Sequence, residues 1–174
     1  MAAIEAIATT YLEADAASVT FSSLGSYEHL QLRISFRTTR ATALERCAMR
    51  FNGDTGANYS QHTMWGTAGT AAAAATVEGS GSQACVFAGY WGPTSTEPAT
   101  LYGQSVCDIL DYRNGSKNTT TMASNGVLGA TPFAAVPSGL WDNVAAVTSI
   151  VIFPESGSDF TRGSEFTLYG LNSS

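Results

Sequence analysis

From His29 to Arg37 the chain alternates strictly. Leu30, Leu32, Ile34 and Phe36 take one parity, and Gln31, Arg33, Ser35 and Arg37 the other. Successive side chains of a β-strand point to opposite faces, so this segment reads as a strand with one apolar and one polar face. Glu45 to Phe51 repeats the pattern, with Cys47, Met49 and Phe51 set against Arg46, Ala48 and Arg50. The seven residues 38–44 join the two segments, which predicts a hairpin with the arginines of both strands on one exposed face.

Further strands are predicted at Ile4–Tyr11, Ser18–Phe21, Asn58–Trp65, Ala84–Tyr90, Ser105–Tyr112, Asn118–Ala123, Val147–Phe153 and Glu165–Leu171. Turn signals punctuate them: Asn52-Gly53, Asn114-Gly115, Asn125-Gly126 and Pro154 to Gly157. With no long helical period, these strands predict an all-β, antiparallel jelly-roll sandwich of about eight to ten strands. Its 174 residues suit a single domain, 1–174. Gly66 to Gln83, with Ala71 to Ala75 in its middle, departs from the pattern and is read as a long loop carrying one helical turn. Met1 to Ala3 is read as a loose end, and residues 1–16 as a docking arm or an exchanged strand.

Charge narrows the function. Only 13% of residues are charged, and the net charge is −6. An acidic chain does not gather nucleic acid by bulk attraction to phosphate. No stretch approaches the roughly 20 apolar residues of a membrane helix, and no basic segment precedes an apolar one at the N-terminus as in a secretory signal. Cys47, Cys85 and Cys107 each sit in an apolar run and read as three core thiols, which fits synthesis in a reducing cytoplasm. Five of the eight basic residues crowd into one stretch, Arg33, Arg37, Arg40, Arg46 and Arg50, opposed there only by Glu45. Arg33, Arg37, Arg46 and Arg50 are the candidate contacts with a neighbouring copy or another protein, against the plainer reading of a solvated strand face.

Signals for chemistry are sparse. His29 and His62 are the only histidines, too few and too scattered for a zinc site. No Gly-x-Ser-x-Gly elbow, His-Glu-x-x-His pair or Walker loop occurs. The oxygen-rich run Asn52 to Asn58 has one carboxylate, Asp54, and reads as a turn held by Asx hydrogen bonds ahead of a calcium loop. Asp108 and Asp111 are three apart in a strand pattern, which separates them, and Asp111 is expected to pair locally with Arg113 or Lys117. No catalytic residue, metal site or cofactor is expected. Among the aromatics Tyr59, Trp65, Tyr90, Trp91, Tyr102 and Trp141, the trio Trp65, Tyr90 and Trp91 is the candidate glycan platform, weighed against ordinary core packing.

Several strings carry a resemblance. SSLGSYEHLQLRISFR at 22–37, RFNGDTGANYS at 50–60, DILDYRNGSKNTT at 108–120, SGLW at 138–141 and FTRGSEFTLYGL at 160–171 resemble a family of jelly-roll virion proteins of tailed phages. Members are found as capsid cement (decoration) proteins and as tail or fibre modules. The resemblance runs from about Ile4 to Leu171. It implies a non-enzymatic homotrimer that binds the major capsid protein on the outer surface of the phage head, made in the bacterial host cytoplasm. The alternative is a tail or fibre module that recognises host-surface carbohydrate. The absence of a heptad shaft favours the head.

Overall fold

The computed structural model describes residues 4–67 and 70–172, with 70–82 described by their backbone path alone. Met1 to Ala3 lie outside the described residues. The described residues form twelve strands and no helix: β1 (Ile4–Tyr11), β2 (Val19–Phe21), β3 (His29–Phe36), β4 (Glu45–Phe51), β5 (Tyr59–Thr67), β6 (Thr70–Gln83), β7 (Val86–Gly92), β8 (Gly103–Leu110), β9 (Thr119–Val127), β10 (Phe133–Trp141), β11 (Ile150–Pro154) and β12 (Glu165–Leu171). They build two antiparallel sheets. The larger runs β1-β12-β3-β8-β9-β10-β5-β6, and the smaller runs β2-β11-β4-β7.

This order is a jelly roll with two insertions. β1-β12-β3-β8 and β2-β11-β4-β7 are its two four-stranded halves, and the chain steps from one half to the other at each move through β1, β2, β3 and β4. The β5–β6 hairpin is inserted before β7 and the β9–β10 hairpin before β11. The two insertions pair with each other through β10 and β5, so both lengthen the larger sheet beyond β8.

The alternating faces meet between the sheets. Leu30, Leu32, Ile34 and Phe36 of β3 are at most 2% exposed, and Cys47, Met49 and Phe51 of β4 are fully buried across from them. Each such side chain contributes about 1.5–3 kcal/mol over leaving it in water. Phe160 closes one end, packed edge-on against Phe36 and Phe166. Phe51, Tyr59 and Trp141 close the other.

Four sequence expectations are corrected. β3 and β4 are not a hairpin: β3 lies between β12 and β8, and β4 between β11 and β7 in the other sheet. Alternation identifies a strand's buried face but not its neighbour. The alanine run is strand, not loop or helical turn, with Ala74 opposite Trp65 and Ala75 opposite Met64. Alanine's helical advantage is a few tenths of a kcal/mol per residue and yields to a long ladder. β10 carries no alternating signal in the sequence, because Pro137 and Gly139 interrupt its pattern. Its pairing with β9 passes over Val136 and Pro137, where proline has no N–H to give. Finally, Asn125-Gly126 lies inside β9 and forms no turn.

Candidate functional site

The four candidate arginines occupy three different places. Arg33 is exposed on the outward face of β3, its guanidinium 4.8 Å from the Tyr169 ring and its Nε donating to Gln31 Oε1 at 3.0 Å. Arg46 and Arg50 lie on the outward face of β4, across the molecule. Arg46 pairs with Glu155 at 3.2 Å and stands 5.0 Å from the rings of both Phe87 and Tyr90. Arg50 covers Phe153 and donates to the Ala84 carbonyl at 2.8 Å. Arg37 is buried, 6% exposed, and donates to the Glu97 and Pro98 carbonyls at 2.8 and 2.7 Å. No single face holds all four, because strands adjacent in sequence belong to opposite sheets. Arg37 is withdrawn from any contact surface.

The aromatic trio is likewise packed. Trp65, Tyr90 and Trp91 surround Phe133, with ring centroids 6.2, 5.9 and 4.6 Å from it. Tyr90 is 3% exposed, and Trp65 and Trp91 are half-buried. A sugar platform needs ring faces open to solvent, and these rings are spent largely on one another. The residue that organises them gave no sequence signal as an interior group. Asn125 of β9 accepts the Tyr90 N–H at 2.9 Å and donates to the Trp91 carbonyl at 2.7 Å. Its amide thereby completes backbone pairing for the end of β7, which packs across β8, β9 and β10.

The Asn52 to Asn58 turn is held as an Asx turn. Asn52 and Gly53 both take positive φ, 53° and 68°, and the Asp54 N–H reaches the Phe51 carbonyl at 2.9 Å. Asp54 Oδ1 accepts the Gly56 N–H at 2.8 Å, and Oδ2 accepts Asn58 Nδ2 at 2.9 Å and Trp141 Nε1 at 2.8 Å. These donors, Trp141 first, hold the Asp54 carboxyl below its ordinary range. Both oxygens already face protein donors, which is poor provision for a cation.

Asp108 and Asp111 are separated. Asp108 accepts Gln31 Nε2 at 2.9 Å, whereas Asp111, beyond the end of β8 at φ 52°, pairs with Lys117 at 2.5 Å. Lys117 chiefly lowers the Asp111 pKa. His29 Nδ1 accepts the Asp111 N–H at 3.0 Å, and His62 is exposed on β5. Among the described residues no three of His, Cys, Asp and Glu gather as a metal would need. Glu45, which the sequence shows as the one acid among the five arginines, is fully buried and lies 3.5 Å from Arg40. It accepts the Arg46 N–H at 2.9 Å and the Ser156 and Ser158 hydroxyls, and so pins the turn after β11 to the start of β4.

The surface with the clearest character is the outward face of β8, β9, β10 and β5. Because inward and outward residues alternate, its composition can be read off row by row. Gly126, Ala134 and Gly66 lie side by side across three strands, and Ser138 lies between Met122 and His62. Met122 is 59% exposed, Met64 50% and Leu110 45%, and Leu128 in the β9–β10 connection is 83% exposed. Asp108, at the margin next to β3, and His62 of β5 are the acidic and basic side chains that these four strands turn outward. The row of small residues leaves an open groove of about 800 Å³, walled by Leu101, Tyr102, Leu128 and Pro132. An exposed apolar surface with so little charge marks an interaction site more often than bare solvent contact. Comparison with family models, with curated proteins and with solved structures finds no match for the chain.

Proposed function

We propose that this chain is a non-enzymatic structural protein of a phage virion that decorates the head, docking on the major capsid protein through the outward face of β8, β9, β10 and β5. The observation that carries the reading is that face: broad, almost without charge, and studded with exposed Met64, Leu110, Met122 and Leu128. Interface cores are depleted in charge and enriched in methionine, which suits a face meant to be covered. Shell stabilisation then follows by mass action, because a protein that binds only the assembled lattice shifts the equilibrium towards it.

Two of the strings that resemble the phage family fall on the jelly-roll framework, HLQLRISF as β3 and EFTLYGL as β12, while SGLW ends the inserted β10 and NGDTGANY is the Asp54 turn that Trp141 braces. They support the reading through the fold they specify, and the docking face supports it separately. The three-fold arrangement on the lattice belongs to the same proposal.

Immunogold electron microscopy of the source virions with antibody to this chain is the direct test. Label over the head is the expected result. Label confined to the tail overturns the head assignment and turns attention to a host receptor. Binding to shells stripped of this protein should also fail for Met64→Asp/Met122→Asp, whose altered side chains are solvent-exposed and leave the fold intact.

A further inference from the structure

We propose that the free edge of β1 pairs antiparallel with β1 of a second copy, joining two large sheets across a two-fold axis. Among the described residues β1 is the end strand of the larger sheet and bonds only to β12, so its far side presents unpaired backbone N–H and C=O groups. Natural edge strands are usually guarded by lysine, proline, a bulge or inward charge. Residues 4–11 contain no Lys, Arg or Pro, and their guards are the bulge and one inward charge, Glu5, opposite Gly170. Ile4 is 42% exposed and Tyr11 53%, large apolar side chains left in water at the two ends of the strand.

The strand's bulge decides the register. Ala6 faces Tyr169 and Ala8 faces the next residue back, Leu168, so Ile7 is the extra residue and the parity switches there. Ile4 and Ala6 before the bulge, and Thr9 and Tyr11 after it, therefore all project from the outward face. The 3.1 Å bond between the Thr9 and Thr167 hydroxyls fixes that side. In a straight strand residues 4 and 11 would point to opposite faces, and an antiparallel pairing of one with the other would be impossible. With the bulge it becomes consistent at every pair: Ile4 meets Tyr11 of the second copy, Glu5 meets Thr10, and Ala6 meets Thr9, with the two bulges at the axis.

This register is self-complementary, as a two-fold contact requires. It sets an apolar pair at each end and keeps the two Glu5 carboxylates opposite threonines instead of each other. For a chain of net charge −6, an edge that opposes no like charges lets two copies meet at little electrostatic cost. A bulge on a lone edge discourages pairing; here it is what makes the faces agree. The contact leaves the docking face of β8, β9, β10 and β5 free, so docking on the shell is tested separately; a trimer already formed in solution would favour the three-fold arrangement and overturn this two-fold contact.

Sedimentation equilibrium of the free protein should give a mass that climbs towards twice the monomer as concentration rises. Ile4→Lys/Tyr11→Lys should stay monomeric with an unchanged melting temperature, since both side chains are exposed. Register is read by cross-linking, which the three native cysteines do not disturb because all are buried. Mixing Ile4→Cys with Tyr11→Cys under mild oxidation should give a disulfide-linked pair, and neither variant alone should. Ile4→Cys/Leu171→Cys, opposite each other within one chain, should close within the chain. A wild-type monomer at every concentration overturns the proposal. So does a trimer, a dimer indifferent to the lysines, efficient cross-linking of either single variant with itself, or an intermolecular 4–171 bond, which would mean strand exchange.

Discussion

Trp141, the last residue of β10, donates its indole N–H to Asp54 Oδ2 at 2.8 Å, tying an inserted strand to the turn between β4 and β5. Trp141 is 1% exposed, with the half-buried Asp54 covering its N–H. Asp54→Ala should cost about 0.5–1.5 kcal/mol, the net worth of the lost hydrogen bond, because water can reach the indole once the carboxylate is gone. The same bond gives a pH signature. The folded-state pKa of Asp54 is depressed, so its contribution is complete above the unfolded carboxylate value, about 4, and is lost as pH falls through the lower folded value. The melting-temperature gap between wild type and Asp54→Asn should therefore be constant near neutrality and shrink below about pH 4. Calorimetry from pH 3 to pH 7 checks this, and a gap that widens in acid would refute it.

Arg37 and Arg33 should separate cleanly. Arg37→Ser leaves the Glu97 and Pro98 carbonyls without their guanidinium in a buried site, at a cost of about 1–3 kcal/mol for each group left unmet. Arg33→Ser removes an exposed side chain resting on Tyr169 and should change stability by no more than about 0.5 kcal/mol. Urea melts of the two variants test the assignment. Equal, small effects would mean that Arg37 is not the buried brace described above.

The contrast between these arginines shows what the sequence could and could not reveal. β1 and β12 match their predicted bounds, and β3 differs only at its end, because in each a turn or polar residue closes a β-rich run. Parity also placed Leu30 to Phe36 inside. Parity could not say that β3 and β4 belong to different sheets, since that depends on contacts with β12 and β11 more than a hundred residues away. It misread Asn125, whose amide looks like a turn signal locally and serves as a backbone substitute for β7 in the fold. β6 and β10 were lost because alanine, glycine and proline carry weak or contrary local preferences, overridden by pairing with β5. The uncharged face emerged only once β9, β10 and β5 were adjacent, as none of the three is conspicuous alone.

Gly139 marks where the insertion is pressed onto the jelly roll. A Cβ there would lie 2.6 Å from Val86 Cγ1 and 2.7 Å from Thr121 Oγ1, closer than real atoms approach. Val86 begins β7 and is fully buried, so it has little room to retreat. Gly139→Ala should destabilise the fold by about 1–3 kcal/mol through overpacking. The paired change Gly139→Ala/Val86→Ala should recover part of that loss, because it vacates the same space. A double-mutant cycle by chemical denaturation measures the coupling; strict additivity would show that the two residues do not press on each other.

The three thiols should be silent in the folded protein. Cys47, Cys85 and Cys107 are all buried, and burial pushes the Cys107 thiol up to about 12 and the Cys47 thiol well above its ordinary value. Thiolate is the reactive form, so at Cys47 and Cys107 two barriers act together: the reagent cannot reach sulfur, and little sulfur is ionised. Treatment with a chromogenic disulfide reagent at pH 8 should label none of them in native buffer and all of them in denaturant. Labelling at intermediate denaturant should follow the unfolding transition seen by circular dichroism, since exposure then requires opening of the sandwich. Cys85 lies next to Ala84, whose carbonyl holds Arg50, at the boundary between β6 and β7. If one thiol reacts ahead of global unfolding it should be Cys85, and Arg50→Ala should advance its labelling while leaving that of Cys107 unchanged. Early labelling of Cys107, which lies at the centre of the larger sheet, would contradict the packing of β3 and β9 on either side of it.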